Sequence, residues 1–196
     1  FDVNPKILKE SAERRERFQE ELLHDWLKTC PFDYLMVGKI KGIRTVNFEI
    51  KGRVGILTMN RPEDANALNA QMASELFEVS VQCSRNNNLG ALIITANGKM
   101  FNAGGDLKEF NSPPGNRKDE HLSRVASNLH DALVRFAYMD APVIMAVNGT
   151  AAGGGFSLAL SGDYILASDK AKFVSAYTAS GLTPDGSSTY YLAKHI

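Results

Sequence analysis

Cysteine is scarce: Cys30 and Cys83 are the only two in 196 residues, and their spacing fits neither a disulfide framework nor a metal site. Two unpaired thiols in a chain of this size point to a reducing compartment. Net charge is missing as well. Twenty-two basic and twenty-two acidic side chains cancel to a formal +0, so no overall field recruits nucleic acid or an anionic membrane. No apolar run is long enough to span a bilayer, and the first residues carry no h-region of a secretory signal. These absences predict a soluble protein of the cytoplasm or another reducing interior, without nucleic-acid or membrane partners. No internal repeat or low-complexity tract stands out. No Gly-Lys-Ser/Thr follows a glycine loop, and the GxGxxG fingerprint is absent, which excludes the common phosphate and dinucleotide motifs.

What is present suffices for one main domain and a small appendage. Residues 4–29, NPKILKESAERRERFQEELLHDWLKT, are charged and helix-prone, with apolar positions at Ile7, Phe18, Leu22, Leu23, Trp26 and Leu27. Their spacing predicts a helical extension over 1–43, an arm for packing or self-association. From residue 44 the pattern changes. TVNFEIKG alternates and RVGILTMN follows, with a hairpin turn predicted at Lys51-Gly52. ANALNAQMASELFEVSVQCSRN has helical spacing, and GALIITAN reads as a strand buried on both faces. A loop is expected over 98–115, then a helix in HLSRVASNLHDALVRFAYMD, a second buried strand in APVIMAVNG, a short helix in FSLALSG, and short strands in DYILASDKAKFVSA. Alternating strands and helices predict an α/β fold with a largely parallel sheet, whose ligands gather at the carboxyl ends of the strands.

Two of those strands end in glycine-rich corners, MFNAGGDLKEF and TAAGGGFSL. Glycine allows a ligand close to the backbone, and the first turn of a helix leaves N–H donors unpaired. Each corner alone is better explained by a tight turn and helix–sheet packing. As a pair they form a candidate clamp for one negatively charged oxygen.

NRPEDANALN, FNAGGDLKE and APVIMAVNGTAAGGGFSLALSGDYILAS, in that order, resemble the crotonase, or enoyl-CoA hydratase/isomerase, superfamily over residues 46–196. The resemblance implies a spiral of ββα units, usually trimeric or doubly trimeric, that acts on acyl-CoA thioesters. Coenzyme A enters as part of the substrate, with no tightly bound cofactor and no metal. It implies an oxyanion hole from the backbone N–H groups of Gly105 and Gly154. Ala65, Ala103, Asp106, Leu107 and Lys108 would line the CoA channel, while a position that often carries lysine is Glu63 here. Family members continue past LAKHI into helices that cap the CoA site and build the trimer interface, so the core over 44–196 is expected to be incomplete at its C-terminal end.

The two glutamates of family hydratases fall at Ser157 and Tyr177. Serine has no accessible ionisation and tyrosine's reference pKa is about 10, which argues against hydration by that route. Asp185, in LTPDGSST, occupies a position where several family members place a carboxylate, although Pro-Asp-Gly is also an ordinary turn sequence. His130 and Asp185, with Tyr177 between them, are spaced as in 4-chlorobenzoyl-CoA dehalogenases, whereas the Pro-Asp-Gly segment is similar to that of phenylacetate-pathway isomerases. Two mechanisms follow from the resemblance. In one, Asp185 moves a proton along an enoyl chain; in the other, Asp185 attacks the acyl group and His130 activates water. A third possibility is an acyl-CoA-binding scaffold without turnover.

Overall fold

The computed structural model describes residues 43–112 and 117–196. The helical extension expected over 1–43 lies outside the described residues except for its last position.

The described residues wind through four successive ββα units. The first is a hairpin, β1 (Val46–Lys51) and β2 (Val54–Met59), followed by helix α1 (Ala70–Ser84). Gly52 makes the hairpin turn at φ +62°, in the left-handed region glycine enters without a Cβ clash. The second unit comprises β3 (Ala91–Ala96), β4 (Met100–Asn102), a short helix α2 (Leu107–Asn111) and the long helix α3 (Lys118–Tyr138). The third is β5 (Val143–Val147), β6 (Thr150–Ala152) and α4 (Gly154–Leu160). The fourth is β7 (Tyr164–Ala167), β8 (Phe173–Val174) and α5 (Ser188–His195).

From the second unit onward, the first strand joins a five-stranded sheet of order β1-β2-β3-β5-β7 and the second joins a three-stranded sheet of order β4-β6-β8. Among the described residues, only β1 and β2 pair antiparallel; the other pairings are parallel, for example Ile56 beside Ile93 and Ile93 beside Ile144. Because β4 and β6 are neighbours, the two glycine corners that follow them leave the small sheet side by side.

The expected loop over 98–115 is corrected here, because β4 and α2 lie within it. Three-residue strands and single-turn helices carry too few periodic positions to be read from spacing. Burial on both faces of β3 and β5 is corrected too. Leu92, Ile94, Val143 and Met145 are fully buried, while Ile93, Thr95 and Ile144 are half-buried. Only the first face joins the apolar core that includes Met72, Leu76 and Val79 of α1 and Leu129, Leu133 and Phe136 of α3. Each such fully buried large side chain stabilises the fold by about 1.5–3 kcal/mol.

One buried carboxylate ties the first unit together. Glu75 of α1, 2% exposed, accepts hydrogen bonds from the N–H groups of Arg44, Thr45 and Val46, from the Thr45 hydroxyl and from Gln71. Burial by itself raises its pKa, but these donors outweigh that and hold the carboxyl below its ordinary value.

Candidate active site

The corner after β4 is shaped by Asn102, which is fully buried. Its side-chain oxygen accepts from the N–H of Gly104 at 2.8 Å, and its amide donates to the carbonyl of Asn66 at 2.6 Å. Gly104 then turns at φ +91°, where a Cβ would lie 2.9 Å from the carbonyl oxygen of Ala152 and 3.4 Å from the nitrogen of Gly154. The two corners therefore touch. Gly153 opens α4 at φ +52°, and a Cβ on Gly155 would sit 2.4 Å from the Asn102 carbonyl oxygen. A larger residue at Gly104 or Gly155 would separate the loops.

Gly105 forms a parallel bridge with Leu68 that uses the carbonyl of Gly104 and the N–H of Asp106, at 2.7 and 2.9 Å. That pattern leaves the N–H of Gly105 itself directed away from Leu68. Gly154 is the first residue of α4, where no preceding helical carbonyl is available. Among the described residues, no acceptor takes either N–H. Both predicted donors are thus unspent, on corners that are in contact.

The structure also brings His130, Ser157, Tyr177 and Asp185 into one cluster. His130 Nε2, on α3, lies 3.0 Å from Asp185 Oδ2. Ser157, on α4 and fully buried, donates to the backbone carbonyl of Asp185 at 2.9 Å and also meets the Tyr177 hydroxyl. Gly186, next in the chain, has φ +54°, and a Cβ there would press on Leu133 and Ser157 at 2.9 Å. Close packing thus fixes the backbone that carries Asp185. Its Oδ1 is buried and accepts no hydrogen bond from the described residues.

The electrostatics follow from these contacts. Burial pushes the Asp185 carboxyl up, but hydrogen bonding from His130 and Tyr177 and the charge of His130 bring it below its ordinary value. The same hydrogen bond raises His130, against the opposing effect of burial and with help from the charges of Asp185 and Asp131. The pair is therefore arranged as imidazolium and carboxylate. Burial pushes Tyr177 well above the usual phenol range, so its hydroxyl keeps its proton.

The residues expected along the CoA channel divide into two groups. Asp106 caps α2 and meets Arg61 at 3.0 Å, which, with the N–H of Glu109, outweighs burial and lowers its pKa. The left-handed turn at Ala65 (φ +53°) presents its carbonyl to the N–H of Ala103 at 3.1 Å. Leu107 is half-exposed, and the Lys108 side chain is 90% exposed, its ammonium 3.7 Å from Asp64. Only these last two present side chains freely to solvent. Glu63, beside them, resides in a 3-10 turn over Pro62–Asp64. Among the described residues, no group of three or more His, Cys, Asp or Glu side chains could hold a metal ion.

Sequence reasoning did not single out Asn102 or Arg61. Asn102 falls inside the quoted FNAGGD motif, and a side chain that caps its own loop two residues on is a recognisable Asx turn. Arg61's link to Asp106 spans 45 residues, and no local signal carries it.

Fold and corners together define an α/β spiral protein with two unspent backbone donors at the ends of parallel strands. The enoyl-CoA hydratase/isomerase family model matches residues 49–196, and the chain belongs to that family. It is 41% identical over 140 residues to a 1,2-epoxyphenylacetyl-CoA isomerase of Escherichia coli, covering 70% of this chain and 53% of that protein. It is 30% identical over 151 residues to 4-chlorobenzoyl coenzyme A dehalogenase-2 of an Arthrobacter species, covering 77% and 55%. An enoyl-CoA hydratase from a Polaromonas species has the same fold at 33% identity and a TM-score of 0.69, covering 77% of this chain and 58% of that one. A Legionella pneumophila structure described as a crotonase matches at 31% identity and a TM-score of 0.69, covering 76% and 57%. The chain spans little more than half the length of these relatives.

Proposed function

We propose that the protein processes acyl-CoA thioesters as an enoyl-CoA isomerase. The N–H groups of Gly105 and Gly154 receive the thioester oxygen as it gains negative charge. Asp185 Oδ1 takes a proton α or γ to the carbonyl and returns it at the other carbon, so that a double bond moves while the formula is unchanged. The observation that carries this reading is the buried, unpartnered Oδ1, beside an Oδ2 held by His130. A carboxylate with a lowered pKa is a weak base, so stabilising the enolate becomes the main task, and preorganised backbone donors do this without reorganising. His130 and Tyr177 act through Asp185 by fixing its orientation and charge. Ala65, Ala103 and Asp106 shape the CoA channel by backbone and capping contacts, and Leu107 and Lys108 meet the cofactor portion of the substrate from the surface.

The isomerase among the relatives supports this choice. The 3.0 Å contact of His130 with Asp185 favours a second reading, in which Asp185 attacks the acyl group and His130 activates water for release. Apolar side chains exposed on β7 and β8, Tyr164, Leu166, Phe173 and Val174, support assembly into a homotrimer or hexamer. No helix among the described residues is long and apolar enough to cross a membrane.

The test is mass spectrometry after incubation with mixed enoyl- and aryl-CoA thioesters in heavy water. Deuterium entering the acyl chain is expected, and Asp185→Asn should abolish it while leaving CoA-ester binding in place. Halide or free acid in place of exchange would select the second reading. Exchange that persists in Asp185→Asn refutes the role given to Asp185, and binding without any conversion refutes the enzyme.

A further inference from the structure

Arg61 grips the bridge between Leu68 and Gly105 from both of its strands. The side chain is 15% exposed, and its two terminal nitrogens face different partners. Nη1 donates to the carbonyl of Ala67 at 2.5 Å, while Nη2 donates to Asp64 at 2.8 Å and to Asp106 Oδ2 at 3.0 Å. Ala67 precedes one bridge residue and Asp106 follows the other. The second oxygen of Asp106 accepts from the N–H groups of Lys108 and Glu109 at 3.2 and 3.3 Å, so its carboxylate is held on both sides. In a trans peptide the carbonyl and the N–H point in opposite directions. The peptide whose carbonyl Arg61 holds therefore ends in the N–H of Leu68, which donates to the Gly104 carbonyl at 2.7 Å. The Gly104 peptide ends in turn in the N–H of Gly105, and among the described residues no acceptor takes it.

A guanidinium, two peptide groups and the open donor thus stand in one head-to-tail line of hydrogen bonds. Successive bonds of this kind polarise one another, and the cation sits at the carbonyl end of the line, where it draws electrons away from the far N–H. The charges of Arg61, Lys108, Asp64 and Asp106 cancel as a group, so this influence passes along the bonds and not through a net field. We infer that Arg61 is a positioning residue for the reaction, fixing the plane of the Gly104–Gly105 peptide through Ala67 and Leu68 and strengthening the Gly105 N–H as a donor to the thioester oxygen. This rests on the reading of Gly105 as an oxyanion donor.

The test uses the full chain and a saturated acyl-CoA with a heavy-carbon label at the thioester carbonyl, which has no double bond to move. Difference infrared spectroscopy reads the carbonyl stretch, which falls when hydrogen-bond donors polarise the bond. A loss of stability alone leaves that reading unchanged in the folded complex. The parent should show the fall on binding. In Arg61→Met the fall should shrink by about a third, and deuterium exchange into enoyl thioesters should slow about tenfold in kcat with KM within about twofold of the parent. Arg61→Lys keeps the charge, but a single ammonium cannot span Ala67 and Asp106 as the fork does, so its values should lie between. It takes the place of Arg61→Met should that variant fail to fold. A carbonyl shift as large in the variant as in the parent, or slower exchange expressed in KM alone, overturns the inference and leaves the oxyanion hole standing. A parent that shows no shift on binding refutes the oxyanion hole itself, and the role of Arg61 with it.

Discussion

Glu75→Gln tests the account of how the first ββα unit is closed. One carboxylate oxygen accepts from Thr45 N–H, Val46 N–H and the Thr45 hydroxyl, and the other from Arg44 N–H and the Gln71 amide, at 2.5–3.0 Å. A glutamine must place an NH2 group where one of those oxygens stood, so at least two donors lose their acceptor. Each buried donor left unsatisfied costs about 1–3 kcal/mol, giving a loss of about 2–6 kcal/mol for two. For a protein of this size that is a fall in Tm of roughly 4–24 °C. The pH dependence has a definite sign. Because the native pKa of Glu75 is lowered, its contribution is complete above the ordinary value of 4.5 and is lost as pH falls through the lowered native value. Thermal melts followed by circular dichroism should show the variant well below the parent at pH 7 and the gap closing in acid. A gap under about 2 °C at pH 7, or one that does not depend on pH, refutes the reasoning.

Three further outcomes follow from contacts at the site and in the core. Gly155→Ala drives a Cβ to 2.4 Å from backbone at Asn102, whereas Gly154→Ala meets only the ends of Leu68 and Leu129. The first should lower stability by about 3 kcal/mol and the second by about 1 kcal/mol in denaturant titrations, and equal losses would contradict the contact of the two corners. The pH profile separates the two reaction readings. If Asp185 is the base, its lowered pKa keeps it ionised and the rate stays level from pH 5 to 8, whereas a requirement for neutral His130 makes the rate rise through a pKa above 6.5. The Cys83 thiol is buried and pushed up to about 12, so in a Cys30→Ser background it should react with a disulfide reagent only on unfolding; rapid labelling of the native protein would show that α1 opens.

The His130–Asp185 pair also contributes to stability over a bounded range. The raised His130 pKa gives a contribution that is full below 6.5 and is lost as pH rises through the native value. The lowered Asp185 pKa gives one that is full above 3.8 and is lost as pH falls through its native value. The pair therefore stabilises the segment that carries Asp185 across the mildly acidic to neutral range.

Much of this protein is legible in its sequence because the deciding interactions are local. The hairpin, α1, α3 and the main parallel strands follow from periodicity and from Gly52, and the glycines of FNAGGD and AAGGG announce corners that only a residue without a Cβ can occupy. The same motifs carry the resemblance to the family, and that resemblance points to the N–H groups of Gly105 and Gly154. The ββα repeat is implied by that resemblance and borne out by the fold, but periodicity alone does not show it. Its units differ in length and side chains, and they become equivalent only when β4, β6 and β8 line up in one sheet. Nor does spacing show what surrounds Asp185, which is both a turn residue and a candidate reactive group. The fold brings His130 on α3 within 3.0 Å of it, holds its carbonyl through Ser157 on α4, and packs Gly186 where no side chain fits. Backbone conformation is set by neighbouring residues, but the position and charge of Asp185 are set by groups 28 and 55 positions away, Ser157 on its carbonyl and His130 on its carboxylate, and only the folded chain brings those together.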